Sequence, residues 1–134
     1  MNARRRSIVI ALRTAAKATG GEVRYERDID GDTLTCTISN AGRGSTIFEM
    51  LDEATQVVTT VHSQDFFFEA SQLVFPGNVS PVTPQLRDRI IVKDDADREW
   101  VYKILDKDGQ PRWRYMDAYR DFVRVFTKLV EEPQ

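Results

Sequence analysis

The chain of 134 residues contains one cysteine, Cys36, and one histidine, His62. A single cysteine cannot form an intramolecular disulfide, so we expect the chain to fold in a reducing compartment. A zinc site needs three or four His or Cys ligands, which one chain cannot supply here. A Cys36–His62 catalytic dyad is arithmetically open, but Cys36 alternates with Leu34 and Ile38, which is typical of a small buried residue. We therefore expect no metal, no cofactor and no catalytic site.

Long hydrophobic runs and catalytic sequence motifs are also missing. The apolar run 8–12 is too short for a signal peptide or a transmembrane helix, so no membrane association is expected. Glycine-rich phosphate loops and the nucleophile-elbow motif are absent. The acidic segment 28–32 resembles a calcium loop, but Thr33 and Ser39 stand where an EF-hand needs Gly and Glu. A hairpin turn is the favoured interpretation of this segment, and the protein is not expected to be an enzyme.

The chain has no strong excess of charge, but its cations are unevenly placed. The formal net charge is −2, which disfavours a strongly basic DNA-binding domain. The first 17 positions contain no acid and five basic residues: Arg4, Arg5, Arg6, Arg13 and Lys17. This asymmetry suits a basic arm that meets DNA phosphate or an acidic surface of a neighbouring protein. The alternative is a solvated helix face.

Hydrophobic periodicity predicts one helix followed by a β domain. Residues 3–19 place apolar or small side chains at helical spacing, and Gly20-Gly21 is expected to end the helix. The predicted inner face consists of Ile8, Leu12, Ala15 and Thr19.

Beyond residue 21 the period changes from 3.6 to two, which predicts strands. The expected fold is mainly β: a small barrel or sandwich of about eight short antiparallel strands with one N-terminal helix. We expect a single domain over 1–134, with a basic helix at 1–20, a barrel at 21–129 and a tail at 130–134. Turns are predicted at 28–32, 40–44 and 108–109. The predicted strands are 22–27, 33–38, 45–50, 55–62 with a continuation through 65–69, 89–93, 99–105, 111–115 and 122–129.

A long loop rich in proline is predicted at 74–86, since its prolines exclude a central strand or a continuous helix. Long loops in compact domains are often functional. This one supplies the second set of candidate contact residues: Pro76, Gly77, Asn78, Pro81 and Pro84.

Basic and aromatic residues alternate at 112–115. Stacking of bases on Trp113 and Tyr115 would be one use of this pattern, as in a small barrel that binds single-stranded nucleic acid. On a strand, however, the two rings share one face, while Arg112 and Arg114 share the other. We favour an aromatic core face with a solvated basic edge.

Five segments of the second half form a specific pattern: Ser63-Gln64-Asp65-Phe66, Asp88-Arg89-Ile90, Tyr102-Lys103-Ile104, Trp113 to Arg120, and Arg124 to Lys128. In these segments the chain resembles a family of small neck proteins of tailed bacteriophages, the head-completion or head-tail connector (stopper-like) proteins. The resemblance covers about residues 55–129. The chain departs from the family pattern at Arg87, at 116–118 and at Phe126, none of which removes a catalytic group.

The resemblance implies a structural virion protein, assembled in the cytoplasm of the bacterial host. It would form a homo-oligomeric ring in the neck, between a portal or adaptor protein above and a tail or terminator protein below. Such a ring would join head to tail and help to retain packaged DNA, with non-specific DNA contact in the channel. The alternatives are a tail-terminator or adaptor ring subunit, and the single-stranded nucleic-acid-binding module.

Overall fold

The structure is a computed structural model that describes residues 2–105 and 112–133. This part of the chain is mainly β, as predicted, with one α-helix, a short 3₁₀ turn and seven strands. In chain order the elements are α1 (Ala3–Thr19), β1 (Gly21–Ile29), β2 (Asp32–Asp52), β3 (Val57–Glu69), the 3₁₀ turn Ala70–Gln72, β4 (Arg89–Lys93), β5 (Glu99–Ile104), β6 (Trp113–Tyr115) and β7 (Phe122–Glu131).

Helix α1 has the predicted bounds, and its buried face overlaps the predicted one but is turned by about one residue. The side chain of Asn2 accepts a hydrogen bond from the Arg5 amide at 2.8 Å, which caps the first turn. Val9 and Ala16 are buried, and the predicted Ile8, Leu12 and Ala15 are half-buried, whereas the predicted Thr19 is exposed. The helix packs on the outside of β2 and β3, so the contacted strands, and not the periodicity alone, set the buried face.

Gly20 ends α1 for a reason other than the expected one. Its backbone is extended, with φ −147°, and does not adopt the left-handed conformation of a usual glycine cap. A Cβ at Gly20 would lie 1.7 Å from the carbonyl oxygen of Ala41 on β2. The glycine therefore permits close approach of helix end and strand.

The sheet closes into a barrel of six staves. The hydrogen-bonded order is β3-β2-β1-β4-β5-β7, and additional pairing of β3 with β7 closes the circuit. The fifth stave is split, because β5 and β6 both pair along the same edge of β7. The Leu105 amide donates to the Phe126 carbonyl, and the Phe126 amide donates to the Arg112 carbonyl, both at 3.0 Å. The predicted turn at 108–109 lies outside the described residues.

Two local sequence signals behave differently in β1 and β2. The Asp30-Gly31 turn is confirmed, with both residues at positive φ and Ile29 paired with Asp32. The predicted turn at 40–44 is wrong, because β2 continues through it as one strand. Its first half pairs with β1 and its second half with β3, so β2 accounts for two of the predicted strands.

The glycine at position 42 serves close packing instead of a turn. The ring of Phe67 lies directly over it, and a Cβ on Gly42 would lie 2.2 Å from that ring. Glycine within a strand often marks such an approach. The barrel can therefore place a large aromatic side chain against the backbone of its neighbouring strand.

The barrel interior is filled by aromatic and branched side chains. Trp113 and Tyr115 pack against this core and contact each other edge to face, with ring centroids 5.1 Å apart. Arg112 and Arg114 are exposed. The rings thus lie on the core face of β6, as the sequence indicated. The largest fully buried core side chains are Tyr25, Phe66, Phe68, Phe75, Phe122, Ile38, Leu73, Ile90, Ile104 and Val125.

Candidate interaction surfaces

The β2–β3 hairpin extends past the barrel as a two-stranded arm, defined here as residues 46–63. Seven cross-strand pairs hold it together, from Thr46 with Ser63 to Asp52 with Val57. At the spacing of β-strands it reaches roughly 20 Å. Pairing of β3 with β7 begins only at Gln64, and pairing of β2 with β1 ends at Ala41. Both outer edges of the arm are therefore unpaired within the described sheet.

Apolar side chains are exposed on the arm. Ile47, Leu51 and Val58 share one of its faces and are between 55% and 60% exposed. Val57, on the other face, is 54% exposed. Every residue from 51 to 60 is exposed to solvent. A lone two-stranded hairpin is only marginally stable in water, and an exposed strand edge can pair with another chain. The arm therefore offers exposed apolar side chains and open strand edges to a partner.

A buried carboxylate fixes the root of the arm. Asp65 is fully buried on the outer side of β3 and accepts hydrogen bonds from three elements. Thr46 of β2 donates at 2.5 Å, Ser63 of β3 donates through its hydroxyl, and Arg124 of β7 donates at 2.8 Å. Because the charge is paired and its oxygens have partners, burial of Asp65 is supported. Asp65 thereby links the root of the arm to strand β7.

A second buried carboxylate fixes the long loop, which here spans the residues between the 3₁₀ turn and β4. Asp88 accepts from the Tyr25 hydroxyl at 2.5 Å and from two guanidinium nitrogens of Arg27, at 3.0 and 2.8 Å. It also accepts from the amide of Gln85 at 2.9 Å. Arg27 donates onward to the carbonyl of Thr83 at 2.7 Å. Burial, with the Asp88 charge beside it, raises the pKa of Tyr25 far above its ordinary value, so the phenol stays a donor.

The long loop has an exposed tip, residues 76–81, between two segments that are hydrogen-bonded to each other. Pro84 is buried, whereas Pro76, Gly77, Asn78 and Pro81 are exposed. The fully exposed side chain at the centre of this tip is Val79. The amide of Val82 donates to the carbonyl of Leu73 at 2.9 Å and narrows the base of the loop. Four of the five predicted loop contacts are accessible to a partner, and the fifth packs inward.

The basic residues of α1 fall into two groups. Arg5 binds Asp121 through two nitrogens, at 2.8 and 2.6 Å, and Arg13 binds Glu69, at 2.5 and 3.1 Å. These two pairs fasten the helix to the barrel. The other three cations are exposed and make no ion pair with a carboxylate in the described part of the chain: Arg4, Arg6 and Lys17.

Cys36 and His62, the two residues considered for catalysis, lie in different parts of the structure. The side chains among residues 2–105 and 112–133 include no group of three or more His, Cys, Asp or Glu that could hold a metal ion. Cys36 is half-buried against the core, where burial raises the pKa of its thiol, and His62 is exposed on the arm. No helix among residues 2–105 and 112–133 combines the length and hydrophobicity of a membrane span.

Sequence reasoning missed the arm. Residues 45–50 and 55–62 were expected as ordinary barrel strands, and alternation alone does not tell whether a strand has a neighbour. One signal was available: residues 54–64 contain no charged side chain and are rich in Val and Thr. Such a segment lacks the Lys or Pro that usually protects an exposed edge.

These features define a class of protein: a small closed β-barrel with one N-terminal helix and an uncovered two-stranded arm. The match to a family model makes the class specific: the family described as phage head-tail joining protein matches residues 1–134. The chain belongs to this phage head-tail joining family and is a structural component of the virion neck. Searches of curated proteins and of solved structures returned no match.

Proposed function

We propose that this chain forms a homo-oligomeric ring in the phage neck, assembled in the host cytoplasm. The ring joins a portal or adaptor protein to a tail or terminator protein and helps to retain packaged DNA. Family membership supports the position at the junction between head and tail. The proposal of a ring is supported by the exposed arm of the subunit.

The arm is the observation that carries this proposal. The barrel pairs its own strands into a closed circuit, yet residues 46–63 leave apolar side chains and two strand edges in solvent. A neighbouring subunit would bury these side chains and satisfy the backbone groups of the edges. A repeated neighbour, as in a closed ring, covers the arm of every copy.

The first experiment is the mass of the purified protein in solution, alone and mixed with the head and tail proteins encoded beside it. We expect a discrete oligomer, or ordered addition to a portal complex. The order of addition distinguishes a connector from a terminator or adaptor. A monomer that ignores these neighbours and binds single-stranded DNA would overturn the proposal in favour of the nucleic-acid-binding module.

A matched pair of variants ties assembly to the arm. Val58→Lys places a charge on the exposed face of the arm, and Ile29→Lys places one on an exposed apolar residue beside the β1–β2 turn, which is 43% exposed. Both variants should keep the circular dichroism of the parent. We expect Val58→Lys to abolish the oligomer and Ile29→Lys to preserve it. Equal effects of the two would contradict a role of the arm.

Retention of DNA is assigned to the exposed cations of α1 and to the loop tip. Arg4, Arg6 and Lys17 are available for DNA phosphate or an acidic portal surface. Replacing all three with Gln should increase DNA loss from assembled particles if they face the channel, and the difference should shrink at high salt. If they face a portal protein, the variant should fail to join heads. Normal joining with normal retention would contradict both roles.

A further inference from the structure

The arm carries charge of one sign. Residues 46–63 contain three acids, Glu49, Asp52 and Glu53, and no Lys or Arg. Glu49 lies on the same face as the exposed Ile47 and Leu51, and the other two acids lie at or beside the tip. A surface that covers the arm should therefore combine apolar contacts with positive charge.

The same chain presents such a surface. A cleft of about 310 Å³ is lined by Leu86, Ile104 and Val130 together with three cations, Arg87, Lys103 and Lys128. We name it the basic cleft. Val130 is 45% exposed, so apolar surface is accessible there.

The cations of the basic cleft are poorly balanced by acids in the described residues: Asp28 is close enough to Lys103 to interact electrostatically, but it is paired with Arg89. Lys103 and Lys128 are direct cross-strand partners on β5 and β7, an arrangement of like charges that destabilises a sheet. No described carboxylate forms an ion pair with either lysine or with Arg87. An acidic partner would relieve this repulsion.

The two surfaces belong to different parts of the barrel. The arm is formed by β2 and β3, whereas the basic cleft is lined by residues of β5, β7 and the long loop. Helix α1, with its own exposed cations, packs on the same side as the arm. Contact between two different surfaces of identical subunits is head-to-tail, which is the geometry that generates a ring when its rotation closes.

We propose that the acidic arm of one copy seats in the basic cleft of the next copy. The exposed apolar side chains of the arm contact Leu86 and Val130 there, while Glu49 and Glu53 face Lys103 and Lys128. This inference rests on the proposed ring and names the surfaces that form it. Charge complementarity between arm and cleft selects a second copy as the occupant.

The test is a charge swap measured by sedimentation velocity over a range of concentrations. The arm variant is Glu49→Lys with Glu53→Lys, and the cleft variant is Lys103→Glu with Lys128→Glu. Each should weaken self-association roughly tenfold or more, since like charges then face each other. Asp52 is left unchanged because its carboxylate accepts from the Ala54 amide in the tip turn. Asp32→Lys with Asp95→Lys is the matched control, since both acids are exposed and away from the arm.

The combination of both swaps in one chain should restore association, because every copy then carries a basic arm and an acidic cleft. Failure of this restoration, or single swaps that behave like the control, would overturn the inference while leaving the ring intact. A parent protein that forms no oligomer, alone or with its head and tail proteins, would overturn the ring and this inference together.

Discussion

Arg124 joins β7 to β3 at the place where the arm leaves the barrel, with its Nε donating to Oδ2 of Asp65 at 2.8 Å. The carboxylate is completely buried, and the arginine side chain is 18% exposed. The pair thus holds together two strands that diverge immediately beyond it. The Arg124 guanidinium also lies 6.0 Å from the ring centre of Phe67, within range of a cation–π contact.

Asp65→Ala should destabilise the protein by leaving Arg124 without its counter-ion and by removing the carboxylate that accepts from the Thr46 and Ser63 hydroxyls. We expect the free energy of unfolding to fall by roughly 3 kcal/mol, as measured by urea denaturation. Asp95→Ala, at an exposed turn, is the control and should change it by less than about 0.5 kcal/mol. Equal effects would mean that the buried pair contributes no more than a surface acid.

Asp88→Asn should release the long loop because Arg27 loses its buried counter-charge and Tyr25 its charged acceptor. Hydrogen exchange should accelerate over residues 73–88, with the arm largely unchanged. Asp65→Ala provides the cross-control, since its exchange should accelerate in the arm first. Similar exchange patterns in the two variants would show that the two carboxylates do not act as separate anchors.

Gly42→Ala should be destabilising by roughly 1–3 kcal/mol because the added methyl group meets the ring of Phe67. Gly21→Ala is the matched control: a Cβ there has no heavy atom within 4 Å, and its stability should change little. Thermal unfolding of the two variants compares them directly. A mild effect at position 42 would show that the Phe67 ring can move aside.

Acid should loosen α1 through its ion pair with the barrel. The hydrogen bond from Arg5, the largest cause, lowers the pKa of Asp121 below its ordinary value of 3.8. The folded state therefore binds fewer protons at this carboxyl than the unfolded state. Its stabilising contribution is complete above the ordinary pKa and is lost as the pH falls through the lower folded pKa.

Hydrogen exchange of α1, compared between pH 5 and pH values below 3.8, measures this effect. In Asp121→Asn the helix should exchange faster already at pH 5, with a smaller further change on acidification. Asp28, Asp94 and Glu99 also have lowered pKa values and contribute to acid sensitivity elsewhere. A variant with the acid response of the parent in α1 would exclude Asp121 as its source.

The sequence predicted correctly those elements that are determined by residues close together in the chain. The helix spacing gave the bounds of α1, and Asp30-Gly31 gave the first hairpin. The glycines of β2 were misassigned to a turn because their reason is distant in sequence: Phe67 lies over Gly42, and Arg124 lies beside Gly44. A glycine that allows close packing and a glycine that allows a turn are identical in the sequence.

The candidate surfaces show the same difference between features set by neighbouring residues and features set by residues distant in the chain. The Pro-rich loop was found because proline excludes regular structure wherever it occurs. The motifs containing Asp65 and Asp88 were noticed as a family resemblance, but their roles as anchors depend on Arg124 and Arg27, 59 and 61 residues away in the chain. The arm was missed because its defining property, the absence of a neighbouring strand, arises only when the barrel closes.

The split fifth stave is formed by two strands, β5 and β6, that are separate in the chain but pair along the same edge of β7. The Leu105 amide binds the carbonyl of Phe126, and the Arg112 carbonyl binds the amide of the same residue. The hydrogen bonds to β7 therefore continue from β5 to β6 at a single residue. The backbone of this one residue therefore closes the stave for two separate stretches of chain, while its own side chain is buried.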